Sequence, residues 1–253
     1  MKDFQLGEAV SKFDKNVKLL WRDKYDFNKF IGETDDYIIA CGGDGTLLKA
    51  VHKYANLNKS FYGRAAGTVN FLMNKEKYPM GDYKIKSFSR IKVSVNYKKW
   101  VRNMASIDDK LINVTKEFQA FNDICIGGSD GMNAWINFNI QEKDEIFGEV
   151  QGGGLIISTP QGSTGINKTN RGVVLPLSSD QWSITGDKTT RQIAYVVKPH
   201  KMEIIPSSRK DIIVWIDGEN EVIEKVTSIT VEKGDNINVI FNDYGSFKKK
   251  RRI

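Results

Sequence analysis

Residues 37–49, Tyr37-Ile38-Ile39-Ala40-Cys41-Gly42-Gly43-Asp44-Gly45-Thr46-Leu47-Leu48-Lys49, pass from an apolar run into a glycine-rich turn and out again at helical spacing. The run 37–41 reads as a buried strand, and Leu47, Leu48 and Val51 with the stem of Lys49 read as a helix over about 46–56. Strand, loop and helix in that order build a parallel sheet. Gly42, Gly43 and Gly45 permit φ > 0 and let backbone N–H groups approach an anion that a Cβ would hold off. Thr46 falls near the helix N-terminus, whose positive dipole end favours phosphate. Two readings stand at this point: a tight strand-to-helix turn, or a phosphate loop carrying an acid, Asp44. It is not a P-loop, because no Gly-Lys-Ser/Thr follows. Nor is it the dinucleotide fingerprint, since the G-x-G-x-x-G spacing is missing and the acid lies inside the loop rather than about 20 residues beyond it.

Upstream, residues 7–31 place Ala9, Val10, Phe13, Val17, Leu20 and Trp21 at helical spacing, and Phe61-Tyr62-Gly63 gives a second short strand. To about residue 85 the texture is α/β with a parallel sheet. From Ile91 it changes to short alternating runs: Ile91 to Val95, Ala120 to Ile126, Ala134 to Ile140, Leu155 to Ser158, Ile193 to Val197, Met202 to Ile205, Ile212 to Ile216, Ile229 to Val231 and Ile237 to Phe241. Period-2 alternation with frequent turn residues indicates an antiparallel β domain. The expected fold class is therefore α/β plus all-β: an α/β domain over 1–85, a β-sandwich-like domain over 86–235, and a segment 236–253 that can return to the first.

With 253 residues, 40% hydrophobic and 11% aromatic, the chain suits one large domain or two moderate ones. The net charge of +7 is concentrated at Lys248-Lys249-Lys250-Arg251-Arg252; without that run 33 basic residues face 31 acidic ones. The body is near neutral, so no specific nucleic-acid partner is expected and the tail reads as solvated. Cys41 and Cys125 lie in apolar runs without C-x-x-C spacing, which argues against a metal site or a disulfide framework and fits buried thiols in a reducing compartment. No stretch has signal-peptide or membrane-spanning character, so a cytoplasmic location and no membrane partner are expected. His52 and His200, the only histidines, have no evident partner, which makes a His-based triad a poor reading.

Two further clusters carry polar chemistry. Asn122-Asp123 interrupts an apolar run: as acceptors and donors the pair suits ribose hydroxyls, and equally it marks a turn or bulge. Residues 152–167, from Gly152-Gly153-Gly154 through Leu155-Ile156-Ile157-Ser158-Thr159-Pro160-Gln161-Gly162-Ser163-Thr164-Gly165-Ile166-Asn167, run a strand into a loop dense in hydroxyls and glycines, with a short helix expected from about Ser163. Such a loop offers neutral donors without bulk, which suits a dinucleotide or sugar phosphate.

In order along the chain these clusters resemble the NAD kinase family, within the superfamily that also holds diacylglycerol and sphingosine kinases. The resemblance spans GGDGTLLKA at 42–50, Gly67 to Asn74 near the family's G-x-x-G-F-L stretch, the Asn122-Asp123 pair against its Asn-Glu, STPQGSTGIN at 158–167 against its TPTGSTAYN, Gly172 to Leu177, and Val214 to Glu219 near its V-D-G-Q. It implies a nucleotide-binding α/β domain joined to an all-β dinucleotide-binding domain, with NAD between them. It implies a kinase that moves the γ-phosphoryl of ATP to the 2′-hydroxyl of the adenosine ribose of NAD, giving NADP. Asp44 would be the general base; Gly42, Gly43, Gly45 and Thr46 would receive donor phosphates; Phe71 would border the acceptor. Asn122 and Asp123 would hold ribose hydroxyls, and Thr159, Ser163, Thr164, Gly165, Ile166 and Asn167 would line the nucleoside pocket. Mg²⁺ would arrive with ATP, and a homodimer or homotetramer is implied.

The departures are specific. Ile166 stands where the family has a base-stacking Tyr, Gln151-Gly152-Gly153-Gly154 replaces R-x-D-G and removes a carboxylate, Asp123 is one methylene shorter than Glu, and Ala65 replaces a frequent Asn. Two alternatives remain beside the NAD kinase reading: a lipid kinase of the diacylglycerol type, suggested by Gly67-Thr68-Val69-Asn70, and a non-catalytic dinucleotide sensor, which would not need Asp44.

Overall fold

The fold is given by a computed structural model that describes residues 17–66, 70–102, 109–128, 136–141, 146–207 and 211–249. In chain order the strands are β1 (Lys18–Arg22), β2 (Phe30–Glu33), β3 (Tyr37–Gly42), β4 (Ser60–Ala65), β5 (Lys84–Arg102), β6 (Asp109–Ala120), β7 (Asp123–Gly128) and β8 (Ile136–Gln141). They continue as β9 (Ile146–Gly152), β10 (Gly154–Ser158), β11 (Trp182–Asp187), β12 (Ala194–Val197), β13 (Met202–Ser207), β14 (Ile212–Ile216), β15 (Glu219–Ile223) and β16 (Val226–Phe241). The α-helices among the described residues are α1 (Asp44–Tyr54), α2 (Ile166–Thr169) and α3 (Tyr244–Lys249). The chain packs as two compact units, Met1–Phe88 with Asn236–Ile253, and Ser89–Asp235.

In the first unit β3 and β4 run parallel, with Tyr37 opposite Ser60 and Gly42 opposite Ala65, and the end of β16 joins β4 in parallel at Val239 and Phe61. Ile38, Ile39, Ala40 and Cys41 are all buried, which is why β3 reads as an unbroken apolar run rather than an alternating one. Helix α1 lays Leu47, Ala50 and Val51, all fully buried, into this core. Asn74 closes the sheet from within: its Nδ2 donates to the carbonyls of Gly63 (3.0 Å) and Ile240 (2.9 Å), and its Oδ1 accepts the N–H of Asn242 (2.9 Å).

The helix expected over 7–31 is corrected where it can be seen. Residues 7–16 lie outside the described set; Lys18–Arg22 is a strand, antiparallel to β2, which is in turn antiparallel to β3. Turn chemistry overrides the spacing of Val17, Leu20 and Trp21. Asp23 Oδ1 accepts the N–H groups of Tyr25 and Asp26, both at 2.9 Å, and Asp26 Oδ1 accepts that of Asn28 at 3.1 Å. Short side-chain acceptors of this kind compete with helical hydrogen bonds and reverse the chain.

The second unit is all β. One sheet has the order β12-β11-β10-β7-β14-β15, every pair antiparallel. Strands β5, β6, β8, β9, β13 and the start of β16 form the other antiparallel set. One core lies between them, with Ile91, Val93 and Val95 of β5 packed in the same cluster as Ile124, Ile126, Ile157, Trp182, Ile184 and Val214. The antiparallel sandwich expected beyond residue 86 is thus present, and the runs at 229–231 and 237–241 are one continuous strand, β16.

Because directly paired residues share a face, the register writes out the side of the first sheet that the core does not use. Asp123 stands beside Ser158, which stands beside Ser183; the next row is Trp215, Cys125, Ile156 and Thr185; the next is Ile213, Gly127, Gly154 and Asp187. Helix α2 and the loop before it sit over one edge of this face, leaving Ser158, Ser183 and Thr185 fully buried.

Candidate functional site

In the first unit the chemistry gathers where β3 ends. Gly43 is the N-cap of α1 and offers no side-chain cap, while the N–H groups of Thr46 (2.9 Å) and Leu47 (3.3 Å) close on its carbonyl. Gly42 has φ +152°, and a Cβ there would come within 2.8 Å of Thr46 Cβ, so this glycine is required by backbone conformation and by space. At Gly45 a Cβ would meet none of the described residues within 4 Å. That glycine therefore leaves open space in front of the helix N-terminus rather than relieving a clash.

The Asp44 side chain is held at both oxygens. Oδ2 accepts the Phe71 N–H and Oδ1 accepts the Leu72 N–H, each at 2.8 Å. The two donors fix the carboxylate plane, and they tie the glycine loop to the segment carrying Phe71. Gly67, Thr68 and Val69 lie outside the described residues.

In the second unit the organising residue is Asp217, which the sequence reading did not single out. It occupies the first central position of an Asp-Gly turn between β14 and β15, with φ 51° at Asp217 and 85° at Gly218, the backbone that a two-residue hairpin demands. From there its carboxylate accepts three successive N–H groups, those of Phe121 (2.6 Å), Asn122 (2.7 Å) and Asp123 (2.9 Å). The bend that interrupts the apolar run at 121–122 is made by this one side chain. An Asp-Gly pair between two alternating runs was the signal available for it.

That bend presents Asn122 and Asp123. Burial, with the Asp217 charge beside it, raises the Asp123 carboxyl from 3.8 to about 7. Asn122 Oδ1 and Ser158 Oγ are enclosed with no hydrogen-bond partner, one next to Asp123 in the chain and the other across the ladder from it. Buried acceptors left in this state each cost about 1–3 kcal/mol, so the group calls for a molecule that brings hydroxyl or N–H donors.

The 158–167 loop divides into residues that build the site and residues that face out of it. Thr159 Oγ1 lies 2.8 Å from the carbonyl oxygens of both Phe121 and Asn122, and its N–H donates to Asn122 at 2.9 Å. Gln161, also missed at the sequence level, donates from Nε2 to the carbonyls of Phe121 (2.6 Å) and Ser89 (3.2 Å). Gly162 passes so close to Asn122 that a Cβ would lie 2.7 Å from its Cα. Ser163 Oγ donates to Pro160 and accepts the Leu175 N–H, both at 2.9 Å. Asn167 has every polar position occupied: Nδ2 donates to Ser163 (3.0 Å) and Val173 (2.9 Å), while Oδ1 accepts from Ser183 (3.0 Å) and Thr185 (2.6 Å). Thr159, Ser163 and Asn167, all fully buried, therefore shape the loop from inside. Thr164 is part-exposed, and Gly165 and Ile166 are exposed, Ile166 by 45%. Gly165 is near Asp123, whose Oδ2 would lie 3.8 Å from a Cβ placed there. The expected short helix begins at Ile166 rather than Ser163.

At the far end of the same sheet face, Gly153 donates its N–H to Asp187 O at 3.0 Å, and Asp187 Oδ2 lies 3.4 Å from where a Gly153 Cβ would be. A carboxylate is thus present beside residue 153, supplied by the neighbouring strand. Cys41 and Cys125 are free thiols, and burial raises both.

No family model matches the chain. A search of curated proteins finds a protein named NAD kinase from Brucella suis, 25% identical over 260 residues that cover 99% of this chain and 97% of the relative. Over nearly its whole length the chain is thus similar to proteins named NAD kinase. Solved structures carry the same fold: an NAD kinase from Archaeoglobus fulgidus in complex with ATP, with TM-score 0.62, 21% identity and coverage of 85% of this chain and 80% of that one; and a yeast NADH kinase complexed with NADH, with TM-score 0.65, 17% identity and coverage of 83% and 62%. The α/β unit and the β sandwich are the architecture these solved structures share with this chain. Among the described residues no helix is long and apolar enough to cross a membrane.

Proposed function

We propose that this protein is an ATP-dependent NAD kinase, transferring the γ-phosphoryl of ATP to the 2′-hydroxyl of the adenosine ribose of NAD. The observation that carries the reading is Asp44, a carboxylate oriented by two backbone N–H groups inside a glycine loop at a helix N-terminus. In this reading the 2′-hydroxyl gives its proton to Asp44 as its oxygen bonds to the γ-phosphorus, the β–γ bridging bond breaks, and ADP leaves. Gly42, Gly43, Gly45 and Thr46 receive donor phosphates at the positive end of α1. Phe71 borders the acceptor.

Asp123 and Asn122 accept hydrogen bonds from the ribose hydroxyls of the dinucleotide, the donors that their surroundings lack. Thr164, Gly165 and Ile166 form the open wall of the nucleoside pocket, with Thr159, Ser163 and Asn167 as positioning residues behind them. Among the described residues no group of three His, Cys, Asp or Glu side chains gathers to cage a cation. A magnesium ion held by the triphosphate itself fits such a donor set, and when bound it offsets phosphate charge. A homo-oligomer in the cytoplasm completes the reading.

Incubation with ATP, Mg²⁺ and, in parallel, NAD, NADH or a diacylglycerol is the test. Formation of NADP from NAD is expected. Phosphorylation of the lipid instead, or NAD binding without any turnover, overturns the reading in favour of a lipid kinase or a sensor.

A further inference from the structure

The Ser89–Asp235 unit contains a concavity lined by none of the residues assigned to the site above. It has a volume of about 350 Å³ and is lined by Tyr97, Trp100 and four lysines, Lys98, Lys99, Lys116 and Lys225, with Glu224 as the one acid. Three elements make it: β5 carries residues 97–100, β6 carries Lys116, and the turn between β15 and β16 carries Lys225. The Lys98 N–H donates to the Lys225 carbonyl at 3.1 Å, which fixes the turn against β5.

Folding alone does not account for the charges. Farther along the same ribbon Lys92 is neutralised by Glu117 at 3.0 Å and Glu232 at 3.5 Å. Lys98, Lys99 and Lys225 make no ion pair with any described residue, although they share one cavity wall with Lys116. Like charges so placed repel one another unless an anion joins them. Lys225 also adopts φ 55°, a left-handed backbone disfavoured for a lysine, and its Nζ stands 5.2 Å from the centre of the Trp100 ring. Trp100 is 53% exposed, a large apolar surface left facing solvent.

We propose that this cavity binds a phosphorylated ligand with a planar ring, a nucleoside di- or triphosphate. The ammonium groups take the phosphates as charge-assisted donors, and the exposed Trp100 takes the ring. The volume lies in the range of small-ligand pockets. The lining of the cavity includes none of the residues given a role in the kinase reading, on which the proposal does not depend.

Calorimetric titration with ADP tests it. Wild-type protein shows two classes of ADP site, and the double variant Lys98→Glu, Lys225→Glu weakens one of them by at least about tenfold, leaves the other, and keeps NADP formation. Trp100→Ala weakens ADP at that class while leaving inorganic tripolyphosphate binding there unchanged. A single class of ADP site that neither variant alters overturns the proposal, as does tripolyphosphate binding that Trp100→Ala weakens as much as it weakens ADP. Loss of NADP formation in wild-type protein with both ADP classes intact would instead overturn only the kinase reading.

Discussion

Asp217 accepts the backbone N–H of Asp123 at 2.9 Å while its charge helps to raise the carboxyl of that same residue to about 7. One side chain thus positions the Asp123 backbone and makes its ionisation harder. Asp217→Asn separates the two effects, because Asn-Gly suits the same hairpin turn as Asp-Gly. The amide loses the charge that receives three N–H groups and turns an NH₂ toward one of them. Unfolding free energy in a denaturant titration is expected to fall by about 1.5–3 kcal/mol, the range for hydrogen bonds to a charged group. The Asp123 carboxyl should titrate at lower pH in the variant, though still above 3.8, since desolvation is the larger cause of its shift. An unchanged midpoint would mean that the 121–123 bend holds without Asp217.

The raised Asp123 has a sign that can be followed in two measurements. Between 3.8 and about 7 the folded protein holds a proton that the unfolded chain has released, so this group's contribution to stability falls as pH rises through that window and is level above it. Asp123→Asn should remove that slope. On the proposed function ribose hydroxyls donate to the ionised carboxylate, so NAD affinity should rise as pH passes through about 7, with a proton released on binding at lower pH. Calorimetry at pH near 6 in two buffers of different ionisation enthalpy reads the released proton directly. Wild-type affinity that is flat across this range would remove Asp123 from the ribose contact.

Much of this was legible in the chain, for physical reasons that also explain the misses. An apolar run with no alternation must be buried on both faces, so Ile38 to Cys41 announced a covered parallel strand and the glycines after it a loop at the strand's end. Asp44 was visible because a lone carboxylate among three glycines between a strand and a helix is unusual. Val17, Leu20 and Trp21 misled because spacing carries no information about Asp23 and Asp26, whose side chains capture backbone N–H groups and end the segment. The 158–167 loop was recognised as a unit, but a hydroxyl that touches ligand and one that bonds a neighbouring carbonyl are the same letter. Only the folded contacts show that Ser163 bonds Pro160 and Leu175 and that Asn167 bonds Ser183 and Thr185 of β11. Asp217 acts across 94 to 96 residues of chain, a distance at which no local pattern speaks.

Two glycines in otherwise similar loops should respond oppositely to alanine. Gly162→Ala places a methyl group 2.7 Å from Asn122 Cα, backbone against backbone, and the loop must move. A loss of about 3 kcal/mol or more, or insoluble protein, is expected, as for other steric conflicts in a packed site. Gly45→Ala meets none of the described residues within 4 Å and lies in the first turn of α1, where alanine is the better helix former. Thermal unfolding of that variant should be unchanged or raised by up to about 1 kcal/mol. On the proposed function its ATP turnover should nevertheless fall, because the methyl group would enter the space assigned there to the donor phosphates. Full activity in Gly45→Ala would show that donor phosphates lie elsewhere.

Asp44→Asn tests the base while keeping the size of the side chain. The amide oxygen can still accept one of the two N–H groups of Phe71 and Leu72, but the other meets an NH₂, so the 71–72 segment loosens as the proton acceptor is lost. Removal of a positioned base lowers turnover by about 10²–10⁴-fold, whereas weaker anchoring of one loop acts chiefly on binding. A fall of that size in kcat with NAD affinity kept within about tenfold marks Asp44 as the group that takes the proton. Equal losses in affinity and turnover would mark it as a loop anchor alone. Asp44→Ala separates the cases further, since it removes both hydrogen bonds and should lower the unfolding midpoint more than Asn does.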